Sequence, residues 1–161
     1  MTTALSRSSN LRTTAAWAGT AAVAGSLAAG PGSRWYQQLD KPSFQPPRAA
    51  FPLAWTLLYA DIATTTALAL DHTTDPARQR ATRQALAANL VLNAAWTWVF
   101  FRAHRLGAAT IVAAALTASG VALTRRVAAA HPSGRALALY PAWCAFATVL
   151  SASIWRRNRS R

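Results

Sequence analysis

The sequence predicts an all-α membrane protein, a bundle of five transmembrane helices with almost no soluble mass. Three observations predict it. The charges fall in short clusters, the stretches between clusters are almost charge-free, and 53% of the residues are apolar. Charge-free runs cover residues 13–33, 49–70, 84–101, 106–124 and 136–155, with Asp61 the single charge inside any of them. Each run approaches the roughly 20 residues a helix needs to cross a hydrocarbon core of about 30 Å. Five such runs in series place the whole of 13–158 in one transmembrane domain, between a polar leader (1–12) and a basic tail (159–161).

Taken in order, the first helix is expected over about 14–29. A basic start (Arg7, Arg12), an apolar run and small residues around Ser26 also fit a cleavable signal peptide. The long charge-free stretch favours a retained helix. Its small residues Ala18, Ala22 and Ser26 recur every four positions, which lets another helix approach closely. Gly30-Pro31-Gly32 stops it, and the loop 31–50 follows, stiffened by Pro42, Pro46 and Pro47 and carrying Trp35 and Tyr36. The second helix is expected over 51–70, the third over 82–101 and the fourth over 106–124. The fourth, almost all Ala, Val, Leu, Thr and Gly, suits tight packing or a dimer face. The fifth spans 136–155 and ends in a basic cluster.

A net charge of +13 would suit nucleic acid. Here the arginines flank apolar runs, where they meet lipid headgroups, so the bilayer is the expected partner and nucleic acid is not. Eight cations fall on one side and nine on the other, which the positive-inside rule does not separate; the dense C-terminal cluster favours a cytoplasmic C-terminus. The lone Cys144 excludes an internal disulfide and a cysteine-based metal site. His72, His104 and His131 have no ligand spacing, so no metal site is expected. No glycine-rich phosphate loop, nucleophile elbow or paired carboxylates occur, and no cofactor is implied.

Helical spacing puts Asn89, Asn93, Trp96 and Phe100 on one stripe, Tyr140, Trp143, Ala147 and Leu150 on another, and Trp55, Tyr59 and Thr66 on a third. Trp35, Trp98 and Trp155 lie near window ends and read as interface anchors. An amide in hydrocarbon needs partners, so Asn93 is either an interhelical hydrogen bond or a ligand anchor. Aromatic walls with few polar groups make a pocket for a flat apolar ligand. Asp61 is rare for its position; a structural hydrogen bond is the expected reading, with a ligand or proton role as the alternative.

Four segments in order resemble the tryptophan-rich sensory (TspO/MBR) family, called translocator proteins in mitochondria. They are the first-loop run Trp35-Tyr36 through Pro46-Pro47, Pro52 through Tyr59, Leu92-Asn93 through Phe101, and Tyr140 through Leu150 with Trp155-Arg156 and Asn158. The resemblance implies a five-helix bundle, a homodimer, and a pocket beneath the first loop for porphyrins and haem-like tetrapyrroles. It assigns Tyr36, Trp55, Asn93, Trp96, Phe100, Trp143, Ala147 and Leu150 to that pocket, and Tyr59, on the same helical face as Trp55, is expected to join them. Some bacterial members are implicated in photo-oxidative porphyrin breakdown, and by motif Trp55 and Trp143 would be the catalytic pair. Ser151 and Ala152 depart from the family's asparagine and sterol-associated tyrosine, so sterol specificity is not expected. The expected function is therefore a receptor or sensor in a bacterial cell membrane. Light- and oxygen-dependent porphyrin degradation ranks second. Transport, which favours broken helices or internal repeats, ranks third.

Overall fold

A computed structural model describes residues 2–159, with side chains from Ser9 onward. It is all-helical; no strand occurs among the described residues. The helices are α1 (Thr2–Ala28), α2 (Arg34–Gln38), α3 (Ala50–Asp71), α4 (Pro76–Phe101), α5 (Leu106–Ala130) and α6 (Leu139–Asn158), with a 3-10 segment (Pro132–Ala138) before α6. Six α-helices thus replace the expected five, because the first loop folds one short helix of its own. The expected leader is helical as well: α1 begins at Thr2 rather than Thr14. Met1 of the leader and Ser160 and Arg161 of the tail lie outside the described residues.

The long helices outrun the charge-free windows for one physical reason. Absence of charge measures the hydrocarbon thickness, whereas a helix continues through the headgroup layer, where Arg80, Arg125 and Arg126 are exposed. Local signals set several ends. Asp75 caps α4, accepting from Ala77 N at 2.8 Å, and Pro76 occupies the first turn, where its missing N–H is harmless. Ser33 caps α2 through Tyr36 N at 3.3 Å. Among the described residues, Ala50–Asp71, Leu106–Ala130 and Pro132–Asn158 are long and apolar enough to cross a membrane.

The helices pack around a shared core. α1 packs between α3 and α4, α5 packs between α4 and α6, and the seam between α3 and α6 is closed largely by the 3-10 segment. α1 and α4 run parallel, with Asn10 against Arg83 at one end and Ala24 against Trp98 at the other. One core cluster centres on Ile62, Leu86, Leu123, Leu137 and Tyr140, all 0% exposed. A second lies under the first loop and gathers Tyr36, Phe100, Ala109, Leu150 and Ile154.

The loop that carries α2 is tied down from two directions. The Asn158 amide donates to Asp40 O at 2.9 Å and accepts from Asp40 N at 3.0 Å, a two-point clamp between loop and α6. Arg157 reaches Asp40 at 3.6 Å. On the other side Trp35 stacks on His104, ring centroids 3.9 Å apart. His104 holds a left-handed φ of 55° in the α4–α5 turn. Asn158→Leu is expected to cost about 2 kcal/mol, since it removes two hydrogen bonds to the Asp40 backbone at about 1 kcal/mol each. Hydrogen exchange checks it: the Asp40 amide should exchange faster, with α3 and α5 unchanged.

Candidate functional site

A partly open cavity of about 410 Å³ lies beneath α2. Its walls come from four helices. α3 contributes Phe51, Trp55 and Tyr59; α4 contributes Asn93, Trp96, Phe100 and Phe101; α6 contributes Leu150, Ser151 and Ile154; and α1 contributes Ala22, Gly25 and Ser26. Tyr36 on α2 and Arg48 before α3 form the rim. The volume falls within the range of small-molecule sites, and seven of the 20 lining residues are aromatic.

The aromatic lining is locked by its own edges. Trp96 and Phe100 lie 5.6 Å apart, Trp55 and Tyr59 5.7 Å, and Phe100 meets Phe101 at 4.8 Å in a T-shaped pair. Such pairs contribute about 0.5–1.5 kcal/mol each beyond burial, so the walls stand preformed. Tyr36 is 7% exposed, packed on Phe100 and Phe101 with the Lys41 ammonium 4.7 Å from its ring centre. Burial raises its phenol above the ordinary range, with the Arg48 charge pulling the other way, so Tyr36 stays a neutral donor at the rim. Burial also pushes the Lys41 ammonium down, and Arg48 adds to that.

The polar groups run from the cavity into the bundle as a single chain. Tyr59 Oη donates to Asn93 Oδ1 at 2.6 Å, and Asn93 Nδ2 donates to Tyr140 Oη at 3.5 Å. Tyr140 Oη donates to Asn89 Oδ1 at 2.6 Å, and Asn89 Nδ2 donates to Ser119 Oγ at 3.2 Å. Four helices are joined by it. Asn93 thus bonds across helices and also lines the cavity. Separately, the Trp96 indole donates to Ser151 Oγ at 3.3 Å, so the serine that departs from the family pattern supports a cavity wall.

Of the residues assigned from the sequence, Tyr36, Trp55, Tyr59, Asn93, Trp96, Phe100 and Leu150 line the cavity. Trp143 and Ala147 do not. Trp143 packs on Phe51 (6.1 Å) and Phe146 (5.5 Å), one ring behind the wall, and its buried Nε1 has no partner among the described residues. The stripe it belongs to turns Tyr140 into the core and only Leu150 toward the cavity. Asp61 also departs from expectation. It sits on the outward stripe of α3 with Leu53, Leu57 and Leu68, and among the described residues no hydrogen bond or ion pair reaches its carboxyl. Sequence reasoning missed the α1 wall, Arg48 and Thr97. The four-residue spacing of Ala22 and Ser26 was the available signal, read as helix packing rather than as the floor of a cavity.

The profile of the TspO/MBR family matches residues 13–156. The chain belongs to the TspO/MBR family. Relatives within it include the human translocator protein, 34% identical over 133 residues, covering 80% of this chain and 78% of that one. The CrtK protein of Rhodobacter capsulatus is 30% identical over 125 residues, covering 77% and 78%. The tryptophan-rich sensory protein of Cereibacter sphaeroides is 41% identical over 81 residues, covering 48% and 47%. As a TspO/MBR protein with helices apolar enough to span a bilayer, the chain is an integral membrane protein.

Proposed function

We propose that this chain is a membrane receptor or sensor that binds porphyrins or related tetrapyrroles in the aromatic cavity, with all five long helices crossing the bilayer. One observation carries the reading: a preformed aromatic cavity with a single cation, Arg48, at its rim. A tetrapyrrole is a flat apolar macrocycle with carboxylate arms. The rings of Trp55, Trp96 and Phe100 offer faces and edges to the macrocycle, and Arg48, which has no ion pair among the described residues, offers a partner to a carboxylate. The names of the bacterial relatives, a tryptophan-rich sensory protein above all, support a sensing role. The polar chain from Tyr59 to Ser119 supplies a route by which occupancy would be felt on α5. A homodimer belongs to the same proposal, through the small-residue outer faces of α1 and α5.

Light-dependent degradation remains the second reading. It is weakened by geometry, since Trp55 faces the cavity and Trp143 does not. Transport has no support in the unbroken long helices.

The test is a dark titration of the detergent-purified protein with protoporphyrin and with its dimethyl ester, followed by tryptophan quenching. Esterification is expected to weaken binding about tenfold, the loss of one charge-assisted contact of about 1.4 kcal/mol, and Arg48→Gln to abolish that difference. Equal binding of acid and ester by the wild type would remove Arg48 from the reading. Absence of saturable binding by either would remove the porphyrin.

A further inference from the structure

A second recess lies on the outside of the bundle, in the groove between the parallel helices α1 and α4. Its volume is about 400 Å³, and Trp17, Gln79, Arg80, Arg83, Gln84 and Ala87 line it. We infer that this groove holds the headgroup phosphate of an anionic phospholipid. The cations are arranged to receive an anion rather than to satisfy one another. Arg83 Nη2 donates to Asn10 Oδ1 at 2.9 Å, and Asn10 in turn donates to Asp71 Oδ1 at 2.7 Å, which fixes the guanidinium in place. Its Nε–H, buried, has no partner among the described residues. A guanidinium short of one acceptor is costly to hold at the bundle surface, and an anion in the groove beside it offsets part of that cost through its charge. Arg80, also in the lining, has neither an ion pair nor a hydrogen bond among the described residues. The nearest acids are engaged elsewhere: Asp71 with Asn10, and Asp75 with Arg78 at 3.5 Å and Ala77 N.

Depth argues for a lipid. Arg12 and Arg83 are the last charges before the first and third charge-free runs, so the groove straddles the boundary between headgroups and hydrocarbon. Its polar end lies among headgroups, where each arginine near an anionic surface adds about fivefold to affinity. Its other end offers the Trp17 indole, 37% exposed, an aromatic suited to the interface. Beyond it the exposed Val91 continues an apolar track that an acyl chain can follow. A lipid therefore finds charge and chain contacts in register; a free anion finds only the first.

Native mass spectrometry of the detergent-purified full chain tests this, using equimolar dioleoyl-phosphatidylglycerol and dioleoyl-phosphatidylcholine. Phosphatidylglycerol is expected to be retained more than about tenfold over phosphatidylcholine, from two arginines at about fivefold each. Arg80→Gln, which breaks no bond among the described residues, should lower its retention about fivefold, while Arg125→Gln at the same end of α5 should leave it unchanged. Excess inorganic phosphate should not displace it. Equal retention of the two lipids, an unchanged Arg80→Gln, an equal loss in Arg125→Gln, or displacement by inorganic phosphate would each overturn the lipid site, the last in favour of a free-anion site.

Discussion

Gly134→Ala is expected to destabilise the chain by about 3 kcal/mol or more. A Cβ at this position would lie 2.6 Å from Ala128 N and from the Val127 carbonyl carbon, and 2.7 Å from Val127 Cγ1. Two of those three atoms are backbone, so no side-chain rotation relieves the contact. The 3-10 segment would have to lift off the end of α5, and that segment closes the seam against α3. Gly19→Ala is the matched control. Nothing lies within 4 Å of its added carbon, and the gain in helix propensity, up to about 1 kcal/mol, should make it neutral or stabilising. Thermal unfolding in detergent checks both: a lower midpoint for Gly134→Ala and none for Gly19→Ala.

Tyr140→Phe is expected to cost about 2 kcal/mol. The ring is 0% exposed, and its hydroxyl both donates to Asn89 and accepts from Asn93. Deletion leaves two buried amides short of a partner, about 1–3 kcal/mol each if nothing relaxes. Hydrogen bonds between membrane helices average nearer 0.6 kcal/mol, because the unfolded helices also find partners in the bilayer. The lower part of the first range therefore applies here, where Asn89 is itself 0% exposed and cannot turn to water. Asn89→Leu in the same background should cost less than it does alone, a coupling of about 1 kcal/mol read from a double-mutant cycle. Full additivity would show that the two groups do not share a bond.

The transmembrane character was legible in the sequence because charge in hydrocarbon is so costly that its absence marks depth directly. The same signal is blind outside the hydrocarbon. It says nothing of the helical leader, of α2, or of the 3-10 turn at Pro132–Ala138, all of which form where water or headgroups meet the chain. At the site, aromatic and amide residues were legible because each demands a partner or a surface. Ala22, Gly25 and Ser26 were not, since a small side chain leaves the same mark in sequence whether a helix or a ligand approaches it. Trp143 shows the limit of spacing: periodicity puts residues on one face of α6 but does not say whether that face meets the cavity or the ring behind it.

The central claim is that the cavity beneath α2 is the binding site. Its most direct test compares protoporphyrin binding, read by porphyrin absorbance in the dark, for the wild type and for Ala22→Phe. Ala22 lines the cavity from α1, so the added ring occupies ligand space without entering the buried core. Saturable binding by the wild type, weakened at least about tenfold in Ala22→Phe with the unfolding midpoint held, is the predicted result. Equal affinity in the two proteins would place the ligand elsewhere and contradict the account.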